Sequence, residues 1–370
     1  MKNSNKIPLL ISIFILVFLS GIFVTVYETF PFSFLKSLKT ELTTSSSKIS
    51  FESNDVLSLT HATDSKSIQN LKTDLNLFLW NQKTIPNHIP QKIEESFEDT
   101  RYKNMSNLDS IEKITIEMES DINSIVYFFK ASDSNNKLII YHQGHRGDFF
   151  EGKQTIEYFL EKNYSVIAFS MPLLGMNSQP IIDHPQFGKI KIQSHNQFEL
   201  IENENLSPIK FFVEPIIVSI NYLEKYYTFD SYHMVGISGG GWTTTVVAAL
   251  DDRINESFSV AGSYPIFLRS DPKNFGDYEQ HHLEFYEIAN YLDLYVMAST
   301  GLDRKFVQIF NMYDPCCFDG TSFQEYENEI TEIVNKFDNG YFKIYSDQTH
   351  KEHIISEYSL QLINNEIIDS

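Results

Sequence analysis

Residues 234–250 read MVGISGGGWTTTVVAAL. An apolar run collapses into glycines around Ser238 and reopens as a helix-like segment. Gly236 and Gly240 complete the pattern G-x-S-x-G, in which a strand turns so sharply into a helix that the serine takes a strained backbone position. Glycine is a steric requirement on both sides, because a Cβ there would meet the neighbouring strand or the incoming helix. Five residues alone fit two readings: a serine presented as a nucleophile, or a glycine-rich turn that cradles phosphate or permits tight packing.

Outward from this stretch the pattern alternates. Residues 111–118 set Ile111, Ile114, Ile116 and Met118 among charged residues, as a half-buried edge strand does. Residues 124–130 (SIVYFFK) and 137–141 (KLIIY) read as further strands, the latter apolar enough for burial on both faces, with a hairpin loop at 132–136 between them. Then come a helix at 151–161, a strand at 165–169, a helix at 208–226, a strand at 232–237, a helix at 242–250 and a strand at 257–261. A helix at 290–299, a strand at 305–311, a helix at 322–337, a strand at 341–345 and a closing helix from about 351 complete the series. Strands that alternate with helices need crossover connections, so the fold class is α/β with a mostly parallel sheet.

Two stretches interrupt the alternation. Residues 181–206 carry His184, His195 and a run of acidic and amide residues, and residues 263–292 are rich in aromatics, among them Phe275, Tyr278, Phe285 and Tyr286. Both follow strands, whose carboxyl ends face the ligand crevice in an open α/β sheet, so both are candidate lids or substrate walls. The competing reading is packed surface loop.

The chain has 370 residues, 42% of them hydrophobic and 14% aromatic, enough for a sizeable core. A formal net charge of -20 argues against nucleic acid as a partner, because phosphates would repel such a surface. Near the N-terminus, Lys2 and Lys6 precede residues 7–26, an apolar run interrupted by Pro8, Ser12, Ser20, Gly21 and Thr25. Its length matches a bilayer core, and it lacks the small-residue ending of a cleaved signal peptide. Residues 1–27 are therefore expected to be a cytoplasmic tip and transmembrane helix, with the bulk of the chain extracytoplasmic; a cleaved, secreted form is the rival reading. Residues 28–66, rich in Ser and Thr, read as a tether, and 67–370 as the α/β domain, opening on an amphipathic helix with Ile68, Leu71, Leu75, Phe78 and Leu79. Sequons at Asn104, Asn163, Asn205 and Asn255 fit an exported chain. The adjacent Cys316 and Cys317 read as two ordinary thiols, a vicinal ring being the alternative.

A serine hydroxyl needs an adjacent base, and that base needs a carboxylate to fix its tautomer. On this kind of sheet the three follow the order Ser, Asp or Glu, His. Asp314 stands just past the strand KFVQIFN, and His350 just past the last strand, in SDQTHKEH. Asp303 and Asp319 are lesser rivals for the acid, and His353, one helical turn on, is the rival for the base. An oxyanion would be held by the backbone N–H of Gly239 and by a second N–H from YHQGHRGD (residues 141–148), that of His145 or, failing it, Gln143. His142 and His145 also have the spacing of a ligand pair, but no third metal ligand accompanies them.

The segments YHQGHRGD, FSMPLLGMNS, HMVGISGGGW, NMYDPCCFDG and SDQTHKEH, in this order, resemble the alpha/beta-hydrolase superfamily. FSMPLLGMNS is similar to that family's D-x-P-G-x-G-x-S-like run, with Ser170 in place of the aspartate, and Thr349 stands where a glycine usually precedes the histidine. The triple glycine after Ser238 is similar to acetyl-xylan-esterase-like and dienelactone-hydrolase-like members. The resemblance covers roughly residues 111–370. It implies an eight-stranded, mostly parallel sheet flanked by helices, with Ser238 as nucleophile, Asp314 as acid and His350 as base. It also implies hydrolysis of a small-molecule or glycan carboxylic ester through an acyl-enzyme, with no cofactor and no metal. Peptide or amide cleavage, acyl transfer and a non-catalytic binding domain are the alternatives.

Overall fold

The computed structural model describes residues 53–368. Helices α1 (Ser53–Leu59) and α2 (Ser65–Trp80) lead into β1 (Lys92–Glu94), β2 (Leu108–Glu117), β3 (Asn123–Ala131) and β4 (Lys137–His142). Helix α3 (Lys153–Glu161) and β5 (Ser165–Phe169) follow, and the first insertion carries a hairpin, β6 (Ile181–His184) and β7 (Gly188–Lys191). Next come α4 (Lys210–Tyr226), β8 (Ser231–Ile237), α5 (Gly239–Leu250) and β9 (Ile254–Val260). The second insertion holds two short helices, α6 (Tyr278–His281) and α7 (Leu283–Ile288). The chain ends on α8 (Tyr291–Ser299), β10 (Lys305–Asn311), α9 (Glu327–Val334), β11 (Phe342–Asp347) and α10 (Glu357–Ile368).

The main sheet runs β1-β2-β3-β5-β4-β8-β9-β10-β11. Pairs β1/β2, β2/β3 and β3/β5 are antiparallel, and every pair from β5 to β11 is parallel. The expected eight strands are all present. The ninth, β1, is a short edge strand whose KIE has no alternation to read.

Side-chain alternation divides each central strand between two cores. Leu138, Ile140, Met234, Phe306 and Phe310 face one core, with α4, α5 and α8; Ile139, Tyr141, Val235, Ile237, Val307 and Ile309 face the other, with α3 and α10. Every residue of α5 is buried, which accounts for its lack of an amphipathic period. The hydroxyls of Thr243, Thr244 and Thr245 are satisfied inside it, donating to the carbonyls of Gly239, Gly240 and Gly241 at 3.2, 2.9 and 3.0 Å.

Three expectations change most. The tether read over 28–66 is folded from Ser53 onward. Val56 and Ala62 are buried, and the buried Asp293 carboxylate accepts from the backbone N–H of His61 (2.5 Å) and Ala62 (2.9 Å), contacts that no local pattern announces. The helix read over 322–337 is a single 3-10 turn followed by α9. The closing helix starts at Glu357 rather than near 351, because the chain before it is held as a loop on Asp347. Thr349 N–H and Oγ1 donate to Asp347 Oδ1 (2.9 and 2.7 Å), and Ser356 and Ser359 hydroxyls donate to Oδ2. The transmembrane helix expected over residues 7–26 lies outside the described residues; among those, no helix is long and apolar enough to cross a membrane.

Candidate active site

Strand β8 delivers Ser238 to the sheet's carboxyl edge. The serine sits at φ 56° and ψ -127°, a conformation that costs a non-glycine residue about 1–3 kcal/mol and persists where its surroundings enforce it. Its N–H donates to Val260 O at 2.9 Å, and its carbonyl accepts from Trp242 N–H at 3.0 Å. The flanking glycines are sterically required: a Cβ on Gly236 would lie 2.1 Å from Gly240 O, and one on Gly240 would lie 2.1 Å from His142 O. Gly144, in the loop after β4, is also sterically required, since its Cβ would lie 2.6 Å from Ser238 Cβ and 2.7 Å from Ile237 O.

Asp314 follows β10 in a turn that closes on its own carboxylate. It is buried, Oδ1 accepts from Cys316 N–H at 2.8 Å, and Oδ2 accepts from Asn311 Nδ2 at 3.2 Å. Cys316 and Cys317 are joined as a vicinal disulfide rather than being two thiols. Burial raises the Asp314 pKa, but hydrogen bonding and attraction from His353, with further help from Cys316 N–H and Asn311, leave it below the ordinary aspartate value.

The imidazole on Asp314 is His353, not His350. His353 Nδ1 lies 2.7 Å from Asp314 Oδ2, whereas His350 Nε2 lies 3.4 Å from Asp347 Oδ2 and His350 Nδ1 accepts from Glu352 N–H at 3.2 Å. The loop held on Asp347 is the physical reason. It carries the chain past β11 without helix, so His350 packs beside the loop's anchor while His353 reaches across to the end of β10. A carboxylate on Nδ1 assigns the proton to that nitrogen and leaves a lone pair on Nε2. That atom is buried and has no hydrogen-bond partner. Ser238 and His353 line the same cavity, of about 380 Å³, with Gln143, Gly144, His145, Arg146, Ile237, Pro315 and Cys316. Asp303 lies before β10, and Asp319 pairs with Lys273 at 2.9 Å, so neither rival acid meets an imidazole.

Gly239 opens α5, where an N–H has no acceptor within the helix. A Cβ there would meet His145 Cε1 at 2.4 Å, so the His145 loop packs directly on this turn. Gln143 N–H is committed to Phe169 O at 2.9 Å, which removes the runner-up for second donor. His142 is turned away from His145. Its Nδ1 bonds Gln143 O at 2.8 Å, its ring stacks on Phe169, and burial pushes its pKa down to about 4. In place of an aspartate, Ser170 Oγ accepts from Phe149 N–H at 3.0 Å.

Sequence reasoning missed a second polar cluster behind the loop. His195 from the first insertion and Asp277 and Glu279 from the second converge on the His145 side chain. Glu279 is fully buried. Burial raises its pKa, but attraction from His195 and His145 leaves it well below the ordinary glutamate value. His145, His195 and the Asp277–Glu279 pair lie far apart in the chain, and no spacing signal joins them.

The sequence matches no protein-family model and no curated protein. Solved structures do resemble it. An acetyl xylan esterase from Paenibacillus sp. R4 is 15% identical over 89% of this chain and 98% of its own, with a TM-score of 0.53. Methylesterase BT1017 is 14% identical over 84% of this chain and 66% of its own, with a TM-score of 0.57. At such identities the likeness is one of fold: a mostly parallel sheet with flanking helices, of the alpha/beta-hydrolase type.

Proposed function

We propose that the chain is a serine hydrolase of carboxylic esters. The observation that carries this is an imidazole anchored by Nδ1 on buried Asp314, its Nε2 free, in one cavity with a serine on a strained elbow. Ser238 Oγ attacks the ester carbonyl while His353 Nε2 takes its proton, and the backbone N–H groups of Gly239 and His145 hold the oxyanion. The carbon–oxygen bond to the alcohol then breaks, and the alcohol leaves with the proton from His353. Water, activated by the same nitrogen, cleaves the acyl-enzyme and releases the acid. The cavity suits small acyl or alkyl esters, and both similar structures are by name esterases. As part of the same proposal, residues 7–26 anchor the chain in a membrane with the α/β domain outside, a reading supported by Lys2 and Lys6 ahead of the apolar run.

The test is hydrolysis of p-nitrophenyl acetate and labelling by a fluorophosphonate, comparing the full chain with Ser238→Ala. Turnover and labelling in the wild type that disappear in the variant are expected. Wild-type turnover no greater than the variant's would overturn the proposal, and absence of labelling would point to a non-catalytic binding domain.

A further inference from the structure

The cluster behind the His145 loop has the donors and spacing of a metal site. His145 Nε2 and His195 Nδ1 face each other at 3.2 Å. Glu279 Oε1 lies 3.1 Å from the first nitrogen and Oε2 lies 3.2 Å from the second. Asp277 Oδ2 is 3.4 Å from His145 Nε2 and 3.8 Å from His195 Nδ1. Donors around a tetrahedral ion with bonds of 2.0–2.1 Å stand about 3.3 Å apart; the two imidazole nitrogens have that spacing, Asp277 Oδ2 stands at or just beyond it from each, and one Glu279 oxygen lies beside each nitrogen.

Hydrogen bonding within the cluster leaves it unsatisfied. His195 Nε2 bonds Pro172 O at 2.9 Å, which assigns the ring's proton there and turns a lone pair on Nδ1 toward His145. His145 Nε2 carries one proton for two acceptors, His195 Nδ1 at 3.2 Å and Glu279 Oε1 at 3.1 Å, while Oε2 of Glu279, a residue with no exposed surface, faces the lone pair of His195 Nδ1 at 3.2 Å. A buried carboxylate in that state is costly unless a cation compensates it. The carbonyl on the far nitrogen of His195 is the kind of outer contact that orients a metal-bound imidazole. Its ring is further fixed by stacking on Phe198 and an edge contact with Phe212, and Tyr286 OH donates to the Glu279 carbonyl at 3.0 Å.

We propose that His145 Nε2, His195 Nδ1, Asp277 and Glu279 bind one divalent transition-metal ion, Zn²⁺ by the nitrogen and oxygen donor set. The ion ties both insertions to the loop after β4, directly behind the turn at Gly239. It has a structural role, and it does not depend on the esterase reading.

The experiment is metal content of the full chain, stripped with chelator, reloaded with Zn²⁺ and desalted, together with the visible spectrum after Co²⁺ loading. One equivalent is expected in the wild type and in Ser238→Ala, which separates this inference from the hydrolase proposal. His195→Gln and the half-exposed Asp277→Asn are expected to weaken retention about 10- to 100-fold. The second variant removes one donor at the cluster's accessible side, so loss of fold does not confound it. Cys316→Ser combined with Cys317→Ser is expected to keep one equivalent. No stoichiometric metal in the wild type, equal retention in both ligand variants, or loss confined to the cysteine variant would each overturn the assignment.

Discussion

Gly144→Ala isolates the contact between the loop after β4 and the nucleophile. The added methyl would sit 2.6 Å from Ser238 Cβ and 2.7 Å from Ile237 O, where ordinary contact begins at 3.4 Å. Something must therefore move by about 0.8 Å. Ile237 closes the central strand β8 and pairs with Val260 of β9, so relief comes from Ser238 or from the loop itself. Either movement changes the distance between the serine oxygen and the proposed oxyanion donors. A misplacement near 1 Å costs roughly 100-fold in rate. The assay is kcat/KM on p-nitrophenyl acetate, with thermal denaturation on the same sample. The expected result is a fall of about two orders of magnitude in kcat, with the cooperative unfolding transition retained. A variant that folds and keeps kcat within about threefold of wild type would refute the idea that this contact sets the nucleophile's position.

Exchange of the two histidines gives a second prediction: His353→Gln loses at least about 1,000-fold in kcat, whereas His350→Gln stays within a few-fold, as steady-state kinetics will read. Asp347 yields a pH prediction. Burial raises its pKa, but Ser356, Thr349 and Ser359 lower it overall, so its folded value lies below that of the unfolded chain, about 3.9. Its stabilisation is then full well above pH 4 and is lost as pH falls through the folded value, so the Tm deficit of Asp347→Asn at pH 7 is expected to shrink near pH 3. A deficit equal at both pH values would contradict this. Asp293→Ala leaves the N–H groups of His61 and Ala62 without their buried acceptor, with an expected loss of roughly 3 kcal/mol. Denaturant unfolding reads that loss, and faster proteolytic cleavage ahead of α2 is the accompanying sign.

What the sequence made legible was local. The strands near Ser238 are buried runs of β-branched and aromatic residues bounded by turns, and the elbow is written into five consecutive positions. Asp314 was legible because it directly follows a strand. The imidazole that meets it was not, because the choice between His350 and His353 depends on how far the chain travels before α10 begins. Asp347 decides that by collecting hydroxyls from Thr349, Ser356 and Ser359. A signal was present: Ser359 N–H donates to Ser356 Oγ at 3.0 Å, the bond of an N-capping serine, and reading Ser356 as that cap would have ended the loop three residues beyond His353. The cluster of His145, His195, Asp277 and Glu279 offered no such signal, since it exists only once two insertions fold over the same edge.

That difference in legibility follows how the site is built. Ser238, Asp314 and His353 hang on the ends of β8, β10 and β11, whose registers are fixed by parallel pairing through the middle of the sheet. The two insertions, which contribute no residue to the cavity of Ser238 and His353, are joined to each other by side chains: Asn196 Oδ1 accepts from Tyr278 N–H at 2.9 Å, and His282 Nε2 lies 2.6 Å from Glu202 Oε1. Sheet pairing is cooperative over many residues, while the insertions meet through side-chain contacts, Phe198 against Tyr278 and His195 beside Glu279 among them. The insertions reach that cavity through His145, which lines it and meets His195 and Glu279. That residue is the proposed second oxyanion donor by its backbone N–H and meets the insertions by its imidazole, so a change in the insertions is expected to reach the site through that one loop.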